Sequence, residues 1–377
     1  MSSQQAVFKR NHFIDSLRFI SIFLVLLHHF NIPYKLFDTS INFQIFGESF
    51  TTLLARNGNY GVTMFFVISG YLITSHSIQR WGALKNIHSK DFYLARFARI
   101  VPSLILLIAL VNFLGALEIK PFMTQAPNDI VVPQLMVNLA ALTFWMNLLI
   151  IDNGWVNYVL GVLWSLSVEE VFYLVFPLAA LMLKRDKFFV LACFGLICFG
   201  PYFRYLHYGD ESEAYLYHYF SSFDGIAFGC LAALFIPKIQ LKPTINMLLK
   251  YLTIACMLWI YFSAPIKENC IFGVTTFSLG TVLLILTHLN STQASKRPSV
   301  LLQYARKIGQ NSYEIYLFHL VILGFIKFFY TPALTQGNLK LVLMIIYFLG
   351  SIILGTLIAR YFSNPLNQKI RQYWIKQ

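Results

Sequence analysis

The chain has 377 residues, of which 57% are hydrophobic, 17% aromatic and only 12% charged, about half the charged share of a typical soluble domain. So few charges exclude a water-facing surface over most of the molecule, and the gaps between apolar stretches are too short for an appended soluble folding unit. The net charge of +13 could suit nucleic acid, but the cations fall at the ends of apolar stretches, as expected of loops held on the cytoplasmic side of a membrane, so no nucleic-acid partner is expected.

Stretches long enough to cross a hydrocarbon core as helices are predicted at about 13–32, 61–78, 100–117, 161–183, 188–206, 216–236, 250–264, 271–290, 311–330 and 341–361. The fold class is therefore an all-α polytopic membrane helix bundle of about ten transmembrane helices. The first stretch ends in LLHHFNIPYK rather than in small residues, so it reads as a retained span and not as a cleaved signal peptide. The apolar segment 133–151 contains Gln134, Asn138, Thr143 and Asn147, and is expected to dip into the membrane without crossing. With the N-terminus inside, 21 of the 29 Lys and Arg residues fall on the cytoplasmic side, among them Lys9, Arg10, Lys296, Arg297 and Lys376. Both termini are therefore placed in the cytoplasm. The five cysteines show no metal-ligand spacing, so neither a disulfide framework nor a metal site is expected. No inverted repeat is visible, which weighs against a secondary transporter.

Ionisable side chains inside a span cost several kcal/mol unless paired or hydrated, so each is a candidate functional group. The first span carries Asp15, Arg18, His28 and His29. At 100° per residue Arg18 and His29 differ by roughly 20° around the helix, whereas His28 lies about 100° from His29. Arg18 and His29 thus share a face, and a neutral imidazole at His29 could take a proton from a hydroxyl and return it to a leaving thiolate; the alternative is a pair of hydrated interfacial histidines. In the next span, Asn57 and Asn59 are candidate caps, and Gly61, Ser69 and Gly70 would let another helix approach closely.

Further along, Arg96 and Arg99 stand one turn apart just before Pro102. Two guanidinium forks beside a helix start form a phosphate site, or else ordinary topology anchors. The stretch WSLSVEEVFYLVFP places Ser165 and Glu169 on one side and sets Glu169 and Glu170 together inside an apolar helix. At least one of these carboxylates should face a hydrated interior, to orient a histidine or bind an acceptor hydroxyl, unless the pair simply balances Arg18. Ser165 lacks a nucleophile-elbow setting, which disfavours a serine acyl-enzyme. Asp224, and the stripe Ser312, Tyr316 and His319 in NSYEIYLFHLVI, complete the set, either as supports of a site or as interhelical hydrogen bonds.

Taken together and in this order, the Arg18 and His29 spacing, GVTMFFVISG from Gly61, the Arg96 and Arg99 pair, Trp164 with Ser165 to Glu169, and the late SYEIYLFH resemble the acyltransferase-3 family over residues 12–374. The resemblance implies a multi-pass enzyme of the bacterial cytoplasmic (inner) membrane, a single membrane acyltransferase domain over 1–377. It also implies acyl-coenzyme A as donor, usually acetyl-CoA, and a carbohydrate or lipid-linked glycan acceptor such as lipopolysaccharide O-antigen. The histidine matching His29 is the one regarded in that family as catalytic. Many members carry an esterase-like domain after the membrane part, and none is seen before Gln377, so transfer is expected to finish in the membrane part or on a separate partner. On this reading Arg18 and Glu169 hold His29, Arg96 and Arg99 grip coenzyme A phosphates, and Ser165, Glu170, Asp224, Tyr316 and His319 line the acceptor side. A transporter of a small polar metabolite is the alternative that would use similar buried groups.

Overall fold

The computed structural model describes residues 11–45, 47–127, 130–291 and 298–374; Lys9, Arg10, Lys296, Arg297 and Lys376 of the charge count lie outside them. In chain order the helices are α1 (His12–Asn31), α2 (Phe50–Ala55), α3 (Asn59–Trp81), α4 (Ser89–Ala116), α5 (Gln134–Leu142), α6 (Met146–Asn153), α7 (Leu163–Leu183) and α8 (Asp186–Leu206). They continue as α9 (Ala214–Tyr217), α10 (Phe223–Phe235), α11 (Pro243–Ser263), α12 (Cys270–Leu289), α13 (Val300–Gln310), α14 (Ser312–Phe329), α15 (Leu339–Ile358) and α16 (Asn364–Trp374). Among the described residues the sheet content is one two-residue antiparallel pair, Gln44–Ile45 against Glu48–Ser49.

Nine helical stretches among the described residues are long and apolar enough to cross a membrane. The tenth expected span is α10, a thirteen-residue helix lengthened by 3-10 turns at Tyr219–Ser221 and Ile236–Lys238. The chain is thus a polytopic helical membrane protein. The segment expected to dip without crossing is two short helices, α5 and α6, of nine and eight residues. They are broken at Phe144, which sits at φ 63°. Each spans only about 12–14 Å at 1.5 Å per residue, too little for a bilayer core.

Two starts lie earlier than the apolar pattern suggests. α4 begins at Ser89, so Arg96, Arg99 and Pro102 are inside the helix rather than at its first turn, and the expected help of a helix N-terminus to the arginine pair is withdrawn. Hydropathy marks where a helix enters hydrocarbon, whereas a helix starts where its backbone is first bonded. α11 likewise begins at Pro243 and carries Lys250 two turns in.

α3 is the central helix, and small residues let it be so. A Cβ on Gly58 would lie 2.2 Å from the Leu24 carbonyl oxygen, and one on Gly61 2.4 Å from that of Ser21, so α1 packs backbone to backbone against α3. On the other side, a Cβ on Gly70 would lie 2.0 Å from the Ile226 oxygen and one on Gly229 2.0 Å from the Val67 oxygen. These reciprocal approaches bring α10 onto α3, the small-residue contact by which membrane helices associate. Asn57 does not cap α3 as expected. Its amide donates to the carbonyls of Tyr261 at 2.5 Å and Ala264 at 2.8 Å, and its oxygen accepts from Ile266 N at 2.8 Å, so it satisfies the end of α11 instead.

Candidate active site

α1, α3, α4, α7 and α14 enclose a cavity of about 280 Å³ whose polar lining includes Arg18, Ser69, His76, Arg96, Arg99, Ser165, Glu169, Tyr173, Ser312 and Tyr316. Arg18 and Glu169, expected beside His29, Arg96 and Arg99, expected at the donor phosphates, and Ser165 and Tyr316, expected on the acceptor side, meet in this one cavity. Three guanidinium groups line it against the carboxylates of Glu169 and, behind Arg99, Glu314, which leaves an excess of positive charge that suits an anion.

Each charged group is held differently. Arg99 pairs with Glu314 of α14, Nη1 to Oε1 at 2.8 Å, and Glu314 is fully buried and accepts a further bond from Ser363 Oγ at 2.7 Å. Arg96 lies over the Tyr173 ring at 4.5 Å. Glu169 accepts from Tyr173 OH at 2.5 Å and from Ser69 Oγ, with which Tyr173 also bonds. Arg18 has no carboxylate within ion-pairing distance among the described residues, and it projects into the cavity from α1. Among the described residues Arg99 is thus ion-paired, whereas Arg18 and Arg96 have no carboxylate within ion-pairing distance.

His29 does not line this cavity, and Glu169 is occupied by Ser69 and Tyr173, so the expected direct hold of Arg18 and Glu169 on His29 gives way to a longer arrangement. Tyr316 OH exchanges a hydrogen bond with Ser165 Oγ at 2.6 Å at the cavity wall. His319, one turn on, faces Tyr316 with ring centres 5.6 Å apart and meets His29 edge to face at 4.9 Å. His28 follows at 5.6 Å from His29. The polar stripe of α14 is therefore the connection between the cavity and the histidine on α1.

The hydrogen bonds assign the ring protons. Nδ1 of His28 faces Ala55 O at 3.0 Å, Nδ1 of His29 faces Val25 O at 2.9 Å, and Nδ1 of His319 faces Tyr316 O at 2.6 Å. A carbonyl only accepts, so each Nδ1 carries the proton and each neutral ring presents a bare Nε2. Nε2 of His319 is buried and has no partner among the described residues. His29 is half-buried, and its one hydrogen bond among the described residues is through Nδ1, which leaves Nε2 without a partner there.

Two expected site residues are elsewhere. Asp224 is fully buried and bound to Arg204 of α8 at 2.7 Å, with Thr275 Oγ1 donating to it at 2.6 Å; this ties α8, α10 and α12 together away from the cavity. Glu170 is 6% exposed, points off the cavity, and leaves Oε1 without a partner among the described residues. Sequence reasoning passed over Glu314 and Arg204, although both carry the signal that picked out the others, a charge next to or inside an apolar helix.

The described residues define a polytopic helical membrane protein with an arginine-lined cavity and, beside it, a column of three histidines. The chain belongs to the acyltransferase-3 family, whose model, described as an acyltransferase domain, matches residues 11–360. It is similar to the O-acetyltransferase OatA of Staphylococcus aureus, 24% identical over 379 residues, covering 94% of this chain and 57% of that protein. It is also similar to the peptidoglycan O-acetyltransferase OatA of Listeria monocytogenes, 25% identical over 375 residues, covering 94% of this chain and 55% of the other. The chain thus spans little more than half the length of these relatives. No solved structure matches it.

Proposed function

We propose that the protein is an O-acyltransferase of the bacterial cytoplasmic membrane that moves an acyl group, acetyl in the simplest case, from acyl-coenzyme A to a hydroxyl of a surface glycan. One observation carries the reading: a cavity lined by three guanidinium groups, with only Glu169 in its lining and Glu314 paired to Arg99, joins, through Tyr316 and His319, a histidine whose Nε2 is free to accept a proton. The cavity's 280 Å³ falls below the roughly 300–1,000 Å³ of a site for a whole small ligand. On this reading it takes the phosphate-bearing part of the donor, held by Arg18, Arg96 and Arg99, with the remainder outside.

Nε2 of His29 takes the proton of the acceptor hydroxyl as its oxygen attacks the thioester carbonyl. The carbon–sulfur bond then breaks and the thiolate leaves with the proton returned by His29, so the step is balanced without a metal. His319 positions the His29 ring by edge-to-face contact. The glycan acceptor is supported by the family and by the relatives' names; peptidoglycan, in one of those names, and lipopolysaccharide O-antigen are the two glycans to compare.

Mass spectrometry of the host's surface glycans with and without the protein tests the proposal. The expected result is loss of one acyl mass per modified sugar on deletion, restored by the wild-type protein and not by His29→Ala. Unchanged glycan masses on deletion, or full restoration by His29→Ala, would overturn it.

A further inference from the structure

A second and larger hollow lies on the opposite side of α1. It is a crevice of about 1380 Å³ between α1, α11 and α12, sharing no lining residue with the arginine cavity. At three- and four-residue spacing, Phe13, Leu17, Ile20 and Leu24 turn one stripe of α1 toward it. From Phe13 to Leu24 the stripe is about 16 Å long at 1.5 Å per residue, half of a bilayer core of roughly 30 Å. The walls of the crevice come from three helices long and apolar enough to cross a membrane.

One end of the crevice is different. Lys250 of α11, His288 of α12 and Arg306 of α13 all line it there, and among the described residues no carboxylate does. These helix ends are drawn together: His288 stacks on Phe13 with ring centres 4.0 Å apart, Asn246 Nδ2 donates to Thr287 O at 3.0 Å, and Arg306 Nε reaches Ser16 Oγ at 3.5 Å. Neither Lys250 nor Arg306 has a carboxylate partner among the described residues. Asn246 lines the same end, is 8% exposed, and keeps its Oδ1 without a donor. α13 fixes the height of this cluster. Val300, Leu301 and Tyr304 are 68%, 80% and 63% exposed on a short helix that also carries Arg306 and Lys307, the make-up of a helix lying in the headgroup layer.

We propose that this crevice binds an anionic phospholipid. Its phosphate sits between Lys250 and Arg306, a headgroup hydroxyl donates to Asn246 Oδ1, and one acyl chain lies along Leu17, Ile20 and Leu24. Charge complementarity selects an anionic over a zwitterionic lipid, and the unfilled acceptor selects a hydroxylated headgroup, of which phosphatidylglycerol is the simplest. The site backs the helix that carries Arg18 and His29 on its other face, but it does not depend on the transfer chemistry.

The test is native mass spectrometry of the whole protein released from vesicles of phosphatidylglycerol mixed with phosphatidylcholine in equal parts. The expected result is one retained phosphatidylglycerol per protein in preference to phosphatidylcholine. In the double variant Lys250→Gln with Arg306→Gln the preference should fall about thirtyfold, the effect of removing two cations near the lipid surface. Ile20→Trp, which fills the chain channel without touching the cations, should remove the retained lipid while leaving thermal unfolding unchanged, so a folding defect is told apart from a lost site. Equal retention of the two lipids by the wild type, an unchanged preference in the double variant, or displacement of the lipid by free glycerol phosphate alone would each overturn the proposal.

Discussion

At the scale of single residues, the account depends on which nitrogen of which histidine is free. His28 and His29 are neighbours, each with Nδ1 on a backbone carbonyl, of Ala55 and of Val25 respectively, but only His29 meets His319 and, through it, the wall of the arginine cavity. Replacing a general base is expected to cost roughly 10²–10⁴-fold in rate, so His29→Ala should abolish measurable acyl transfer and His28→Ala should keep most of it. Equal losses would contradict the assignment. The arginines make a different prediction. Arg18→Lys or Arg99→Lys should raise KM for acyl-coenzyme A with kcat less affected, because an ammonium cannot reproduce the bidentate hold of a guanidinium on phosphate; unchanged donor kinetics would contradict a hold on the donor phosphates. The chemistry-bearing types and the α1 face were legible in the sequence because they follow from helical angle alone. That Glu169 goes to Tyr173 and Ser69, and that Arg99 goes to Glu314, was not, because those partners depend on how separate helices are rotated against one another.

At the scale of elements, two contacts decide whether the site exists. The reciprocal approach of Gly70 and Gly229 places α10 on α3, and Gly229→Ala puts a methyl against the Val67 carbonyl. Overpacking of this kind costs about 1–3 kcal/mol, to be read as a lowered thermal midpoint in detergent; an unchanged midpoint would show that the two helices can separate freely. The second contact is Arg204 with Asp224, fully buried at 2.7 Å. Removing one partner of such a pair costs about 3–5 kcal/mol, so Asp224→Asn should destabilise strongly while the molecules that remain folded keep their activity. Loss of activity without loss of stability would return Asp224 to the acceptor site. The long helices were visible in hydropathy, whereas the span expected at 216–236 is the thirteen-residue α10 with 3-10 turns at its ends and the single dipping helix expected at 133–151 is the pair α5 and α6. The starts of the long helices were not visible, since α4 and α11 begin several residues before their apolar stretches.

At the scale of the whole molecule, the bundle separates its two chemistries along the helix axes. Arg18 and His29 lie eleven residues apart on α1, or roughly 16 Å. Arg99, paired within the cavity that Arg18 lines, is ten residues into α4 rather than at its start. The cavity and His29 are therefore separated by a distance within the reach of a narrow arm running from phosphates to a thioester. The direct measurement is acyl transfer in sealed vesicles of known orientation, with labelled acetyl-CoA supplied on one face and glycan acceptor on the other. Label should enter the glycan only when the donor is on the face where α1 begins and the acceptor is on the opposite face. Turnover that requires both substrates on the face where α1 begins would contradict transfer through the bundle.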